Sequence, residues 1–457
     1  MDIKELNEEH LYNQDYLDAI LTDLTIITGV NGKVIEKGEI HIKDGVIKYA
    51  GEKPKKEELK TKARYYYGGA LCLPAYVNTH THLPMNLFRG CAEDMVLGDW
   101  LTKRIFPLED KLSGDAVYWA TKLAAIESLS CGVATVNDMY FFTEDMLRAL
   151  KELNLRSFIS KTIVNSPNDI KLKEAVEAVE EIRSLKDPLI YGTICPHAQY
   201  TVSESLMENI AAAAKDLNAL VHIHVSETEA EHEECKRQNG VTPMELINRS
   251  GILDSKTIAA HCVFVEKDDI EIMKEHGVSV ASCPVSNLKL GSGIAPLNEF
   301  RKAGLNVAIG TDGAASNNAL SVLSEMRLAA LLQKGTTHDA SVFDKEYALA
   351  TGTINGAKAL GIDNITGTIE AGKQADLVIY SQFNLKASPG IDKLYDVLYA
   401  YEDSYVLATY VAGTLAYERR DGSNICRING RDGEIDVHEV MAKVREYTKD
   451  ICMGQEP

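Results

Sequence analysis

Paired cysteines, positive charge and long apolar runs are all scarce in this chain. Its nine cysteines (Cys72, Cys91, Cys131, Cys195, Cys235, Cys262, Cys283, Cys426 and Cys452) are scattered without Cys-x-x-Cys spacing. Their odd number and mostly apolar neighbours argue against a disulfide framework and predict free, buried thiols in a reducing compartment. Lys plus Arg number 48 against 67 for Asp plus Glu, a formal charge of −19, and no segment forms a basic arm. Such an acidic chain is poorly suited to polymeric nucleic acid or an anionic membrane. The first ten residues lack an apolar signal core, and no run reaches the roughly 18 apolar residues of a spanning helix. Low-complexity linkers are missing too. The expectation is a cytoplasmic enzyme or binding protein.

What is present is 457 residues, 45% hydrophobic and 25% charged, enough for a large domain plus a smaller one. Up to Leu73 the pattern is short and strand-like: Leu24–Ile27, a turn at Asn31-Gly32, then Glu39–Ile42 and Val46–Tyr49 around Asp44-Gly45. Asp-Gly between alternating apolar runs is a hairpin signal, so a small antiparallel sheet is predicted. From Pro74 the rhythm becomes strand, loop, helix. The opening strand ends at His80-Thr-His82. Seven more candidates follow: Val133–Val136, Ser157–Ser160, Leu189–Thr193, Leu220–His224, Thr257–Ala260, Val278–Ala281 and Asn306–Ile309. The clearest helix, Ser203 to Leu217, has a capping serine and an apolar face of Leu206, Ile210, Ala213, Ala214 and Leu217. Eight such units predict a closed (β/α)8 barrel over 74–366, with a doubly wound open sheet as the alternative. After Gly367 strands return without helices, and Val437 to Ile451 reads as a terminal helix. Residues 1–73 and 367–457 are therefore expected to pair into one small β-sandwich.

In a barrel the chemistry sits past the C-terminal strand ends. Strand one offers His80 and His82, which point the same way about 7 Å apart. Strand four offers His197, strand five His224 with Glu227 three residues on, strand six His261, and strand eight Asp312. Five of the twelve histidines fall at one end of the predicted barrel. Blander readings apply elsewhere. His222 is a packed neighbour of the site, His232 a solvated helix residue, and Cys262 and Cys283 core.

His80, His82, His224 and Asp312 make a three-nitrogen, one-oxygen set that zinc accepts, with Fe2+ or Mn2+ as alternatives. A metal in such a set lowers the pKa of water toward about 7, which points to metal-assisted hydrolysis. Asp312 can take the proton of the attacking water, His261 can orient it, and Glu227 can protonate a substrate atom beside the attacked carbon. A carboxylic acid there suits an aromatic amidine, favouring deamination of a heterocycle over amide cleavage. Strand four, Leu189 to His197, contains no lysine that could bridge two metals, so one metal per chain is expected.

With His224-Val-Ser-Glu227, Thr311-Asp312-Gly313 and the returning Gly367-Thr-Ile-Glu-Ala-Gly-Lys-Gln-Ala-Asp376, these residues resemble the amidohydrolase superfamily in its mononuclear aromatic deaminase branch. More narrowly, the chain is similar to the 5-methylthioadenosine/S-adenosylhomocysteine deaminases. That likeness rests on Leu87-Phe-Arg-Gly90, Trp100, Glu109, Ser286-Asn-Leu-Lys-Leu-Gly291 and Asp312-Gly-Ala-Ala-Ser316. The resemblance implies hydrolytic deamination of a 5′-modified adenosine to the inosine analogue and ammonia. It also implies that Glu109 holds the ribose hydroxyls, His197 contacts the nucleoside, and Trp100 and Ser316 lie near the 5′ substituent. Two departures bear on specificity: Gln199 stands where relatives often have proline, and Lys161 where they often have arginine.

Another substrate on the same site (guanine, a pyrimidine or an s-triazine) is the competing enzyme reading, and a non-catalytic scaffold the third. The metal, the 5′ preference and any homo-oligomer are not legible at this level.

Overall fold

The computed structural model describes residues 16–54, 59–419 and 426–453. Eight strands form its centre: β1 (Tyr76–Thr81), β2 (Val133–Asp138), β3 (Arg156–Ile159), β4 (Ile190–Gly192), β5 (Val221–Val225), β6 (Thr257–His261), β7 (Ser279–Ser282) and β8 (Asn306–Ile309). They pair in parallel as β1–β2–β3–β4 and β5–β6–β7–β8. Two seams join the halves. At one, Ile194 and Ala198 bridge to Val221 and His224. At the other, the Thr311 and Asp312 amides both donate to the His80 carbonyl at 3.0 Å. The ladder closes on itself, so the barrel is realised and the open sheet is not. Gly310 permits the second seam, because a Cβ there would meet the His80 backbone nitrogen and oxygen at 2.9 Å.

Helices alternate with the strands as the apolar spacing requires. In Glu204–Leu217 the Ser203 hydroxyl accepts the Leu206 amide, and Leu206, Met207, Ile210 and Ala214 are buried. Strands buried on both faces need near-continuous small and branched residues, and Thr257-Ile-Ala-Ala-His261 is typical.

The chain ends do meet, but in a single nine-stranded sheet. Leu17–Ile27, Val34–Lys43, Val46–Glu52 and Thr61–Pro74 come from one end. Leu377–Tyr380, Val406–Val411, Thr414–Arg419, Cys426–Gly430 and Gly433–Ile435 come from the other. The junction is antiparallel pairing of Leu377–Tyr380 with the last residues of Thr61–Pro74. That strand also runs parallel to Leu17–Ile27, so the sheet is mixed. Thr61–Pro74 leads directly into β1, placing the sheet against the barrel's first strand. The terminal helix Val437–Thr448 returns to the barrel mouth, where Thr448 Oγ1 donates to the Leu87 carbonyl at 3.2 Å.

Candidate metal centre and active site

The strand-end residues converge. His80 Nε2 and His82 Nε2 lie 3.4 and 3.2 Å from Asp312 Oδ1. The His224 ring centroid is 4.9 Å from that of His80 and 5.4 Å from that of His82. Ligating atoms of His80, His82 and Asp312 fall within 4.8 Å of one another, as do those of His80, His224 and His261. Asp312 adopts φ 61° and His261 φ 71°, left-handed conformations that cost a non-glycine residue about 1 kcal/mol or more. That strain turns both side chains in toward the barrel axis.

The imidazoles are prepared for a metal. His82 Nδ1 donates to the Met139 carbonyl at 2.6 Å and His224 Nδ1 to the His197 carbonyl at 2.9 Å, which leaves Nε2 of each ring as the nitrogen available to a metal. His80 Nδ1 lies 2.8 Å from His222 Nε2, so His222 braces His80 from below, as its sequence position suggests. His80 Nε2 is buried without a hydrogen-bond partner, an orphan aimed at the same point. Asp312 turns Oδ2 the other way, accepting from Ser286 at 2.5 Å and Ser316 at 2.9 Å. Burial opposes the Asp312 charge, yet the His80 and His82 imidazoles beside Oδ1 hold the carboxyl well below the usual range. Three nitrogens and one anionic oxygen with no other partner to satisfy them fit a single divalent ion.

The acid–base groups stand beside this set. Glu227 Oε2 lies 3.7 Å from His261 Nε2, and Ser292 donates to Glu227 Oε1 at 3.4 Å. Burial, reinforced by the Asp312 charge, pushes the Glu227 carboxyl up to about 8. Burial lowers His261, whose Nδ1 receives Asn287 Nδ2 at 3.2 Å, placing the ring's own proton on Nε2 toward the cavity. Glu231 fixes the Glu227 loop: its carboxylate accepts the amides of Ser226 and Glu227 at 3.0 and 2.8 Å. Sequence reasoning passed over Glu231, although Thr228-x-x-Glu231 has capping-box spacing. Ser286 and Asn287 were read as motif residues without the contacts found here.

The cavity above the set is lined by Trp100, Glu109, Tyr140, His197 and Glu227, with the helical stretch 97–109 across its mouth. Tyr140 donates to Glu109 Oε1 at 2.8 Å, while burial pushes that carboxyl up to about 7. Burial likewise lowers His197 to about 4, so its ring is neutral. Ser316 is placed behind Asp312 and not in the cavity wall, because its hydroxyl is spent on the carboxylate. His232 departs from its sequence reading: it is buried, bonded to Ser226 and Glu266, because its helix packs back on the Glu227 loop. No helix among the described residues is long and apolar enough to cross a membrane.

Known proteins are similar to this chain in sequence and fold. The amidohydrolase family profile matches residues 71–415. A 5-methylthioadenosine/S-adenosylhomocysteine deaminase of Moorella thermoacetica is 37% identical over 430 residues, 93% of this chain and 97% of its own. A 5′-deoxyadenosine deaminase of Methanothermobacter thermautotrophicus is 42% identical over 315 residues, 68% of this chain and 73% of its own. The structure of an adenosine deaminase from Xanthomonas campestris with bound zinc superposes with a TM-score of 0.90 at 32% identity, covering 96% of this chain and 99% of that one. The profile match runs from the strand before β1 through the barrel and on into the returning sheet. The chain belongs to the amidohydrolase family.

Proposed function

We propose that the chain hydrolytically deaminates 5′-modified adenosines, such as 5-methylthioadenosine, S-adenosylhomocysteine or 5′-deoxyadenosine, releasing the inosine analogue and ammonia. The observation that carries this reading is Glu227, a buried carboxyl pushed up to about 8 and 3.7 Å from His261, beside the converging His80, His82, His224 and Asp312. The activities of the Moorella and Methanothermobacter relatives support the substrate class.

His80, His82, His224 and Asp312 would hold one divalent ion, for which zinc is proposed because the Xanthomonas structure carries it. When bound, that ion supplies Lewis acidity that makes water nucleophilic near neutral pH. Asp312 accepts the proton of the attacking water as oxygen adds to C6, and His261 Nε2–H orients that oxygen. Glu227 donates its proton to N1, so charge never builds on the ring. The proton on Asp312 then passes to the departing amine, the Glu227 carboxylate takes the proton of the C6 hydroxyl, and the C6–N bond breaks to leave C6=O and release ammonia. Glu109, tethered by Tyr140, accepts the ribose hydroxyls, while Trp100 and neutral His197 confine the nucleoside. Ser316 acts through Asp312 by holding Oδ2.

An ammonia-release screen of zinc-loaded protein with 5′-modified adenosines, adenine, guanine and triazines tests this. Turnover is expected for the nucleosides and is abolished by chelation. Selective turnover of a free base or triazine would transfer the site to the competing substrate class.

A further inference from the structure

Outside the barrel-mouth cavity lies a second, roomier hollow, and the two share Leu97, Leu101, Phe106 and Tyr200 as a common wall. With the purine against Glu227 and the ribose at Glu109, that wall is where a 5′ substituent leaves the inner cavity. Resting on the deaminase reading above, we propose that the hollow receives the 5′ substituent and selects by charge. Neutral or amine-ended tails are taken in preference to tails ending in a carboxylate or phosphate.

Among the described residues, no lysine or arginine lines either hollow, whereas Glu204, Glu231 and Glu234 line the outer one. Lys161, at the end of β3, is turned away: its ammonium lies 3.0 Å from Glu144 and 3.5 Å from Glu174, and it lines neither hollow. Arg237 pairs with Glu234 at 2.5 Å from outside the wall. Glu204 and Glu231 have no ion-pair partner among the described residues. Two helices begin here, Glu204–Leu217 and Glu229–Asn239, and helix N-termini ordinarily attract anions. Both are already answered from within the chain. Ser203 and Thr228 cap the first turns, Glu204 sits in one of them, and Glu231 takes the Ser226 and Glu227 amides just before the other. A carboxylate entering would find no charge-assisted partner and would face like charge, above all that of the unpaired Glu204, a repulsive element that separates otherwise similar tails. S-adenosylhomocysteine, carrying both charges, falls between the extremes.

Three adenosines with 5′-thio tails of equal length, ending in methyl, ammonium or carboxylate, separate charge from size. The kcat/KM for the carboxylate tail is expected to fall about tenfold or more below that for methyl in low salt, and the gap to narrow as salt screens the glutamates. Glu204→Lys with Glu234→Lys raises the kcat/KM of the carboxylate tail several-fold relative to that of the methyl tail. Equal or faster turnover of the carboxylate tail overturns the proposal, as does a penalty indifferent to both salt and the lysines. Calorimetric binding of the same three compounds ranks the tails independently of chemistry. Absence of ammonia from all of them therefore rejects the deaminase reading alone, while the binding order still decides the charge rule.

Discussion

Burial acts on two carboxyls in the cavity, pushing Glu227 up to about 8 and Glu109 to about 7, and the reaction asks opposite things of them. Glu227 must carry a proton to give to the ring, so kcat/KM declines as pH rises through about 8. As the proposed ribose anchor, Glu109 would accept hydroxyls best when ionised, so nucleoside binding is expected to weaken as pH falls below about 7. A profile peaking between those values is expected, and Glu109→Gln should erase the acidic limb alone; an unchanged limb in that variant removes Glu109 from the ribose. Glu227→Gln is expected to lower kcat by roughly 10²–10⁴-fold with little change in KM. Steady-state kinetics on Glu109→Ala makes a sharper distinction. Loss of a charge-assisted pair, about 1.5–3 kcal/mol, should weaken nucleoside turnover far more than that of free adenine. Equal losses on both substrates would undo the ribose assignment.

The loop after β5 shows how an element converts strand position into chemistry. His224 leaves the barrel on the strand, Ser226 turns at φ 49°, and Glu227 is delivered beside His261 while Glu231 clamps both loop amides. Glu231→Ala leaves two amides without their acceptor. It should cut kcat by an order of magnitude or more while KM shifts little, with Glu231→Gln restoring part because one acceptor oxygen survives. Parallel loss of kcat and thermal stability in both variants would reduce Glu231 to a fold residue. His224 and Glu227 were legible because strand alternation and barrel logic place them. Ser286 and Asn287 were not, since their roles exist only where the β6, β7 and β8 loops meet, nor was Tyr140, whose partner Glu109 comes from the segment after β1. The strand Thr61–Pro74 also escaped reading. Its Gly68-Gly69 looks like a turn, yet both glycines take positive φ inside a continuous strand, near a register shift against Leu17–Ile27.

For the molecule as a whole, the same strand makes the sheet and barrel one mechanical unit. That the two β-rich ends flank a barrel could be read from the return of helix-free strands after Gly367. How they are fastened could not, because the clasp joins residues about 220 positions apart through a buried charge that hydrophobic patterning hides. The Arg156 guanidinium, at the start of β3, pairs with Asp376 and Gln374, and Asp376 also accepts the Ala412 amide at 2.6 Å. The side chains of Arg156 and Asp376 are 0% and 1% exposed. Removing one partner of a buried pair strands the other charge away from water, which costs about 3–5 kcal/mol. Asp376→Ala should therefore unfold at markedly lower denaturant concentration. The double change Arg156→Met with Asp376→Leu, which strands no charge, should recover most of that loss despite forming no ion pair. The proposed metal ligands leave from β1, β5 and β8, at the opposite ends of the strands from Arg156. In protein that stays folded, zinc content per chain and KM should therefore remain near wild type in both variants. Loss of zinc in step with loss of stability would mean that the sheet sets the metal site and does not merely brace the barrel beneath it.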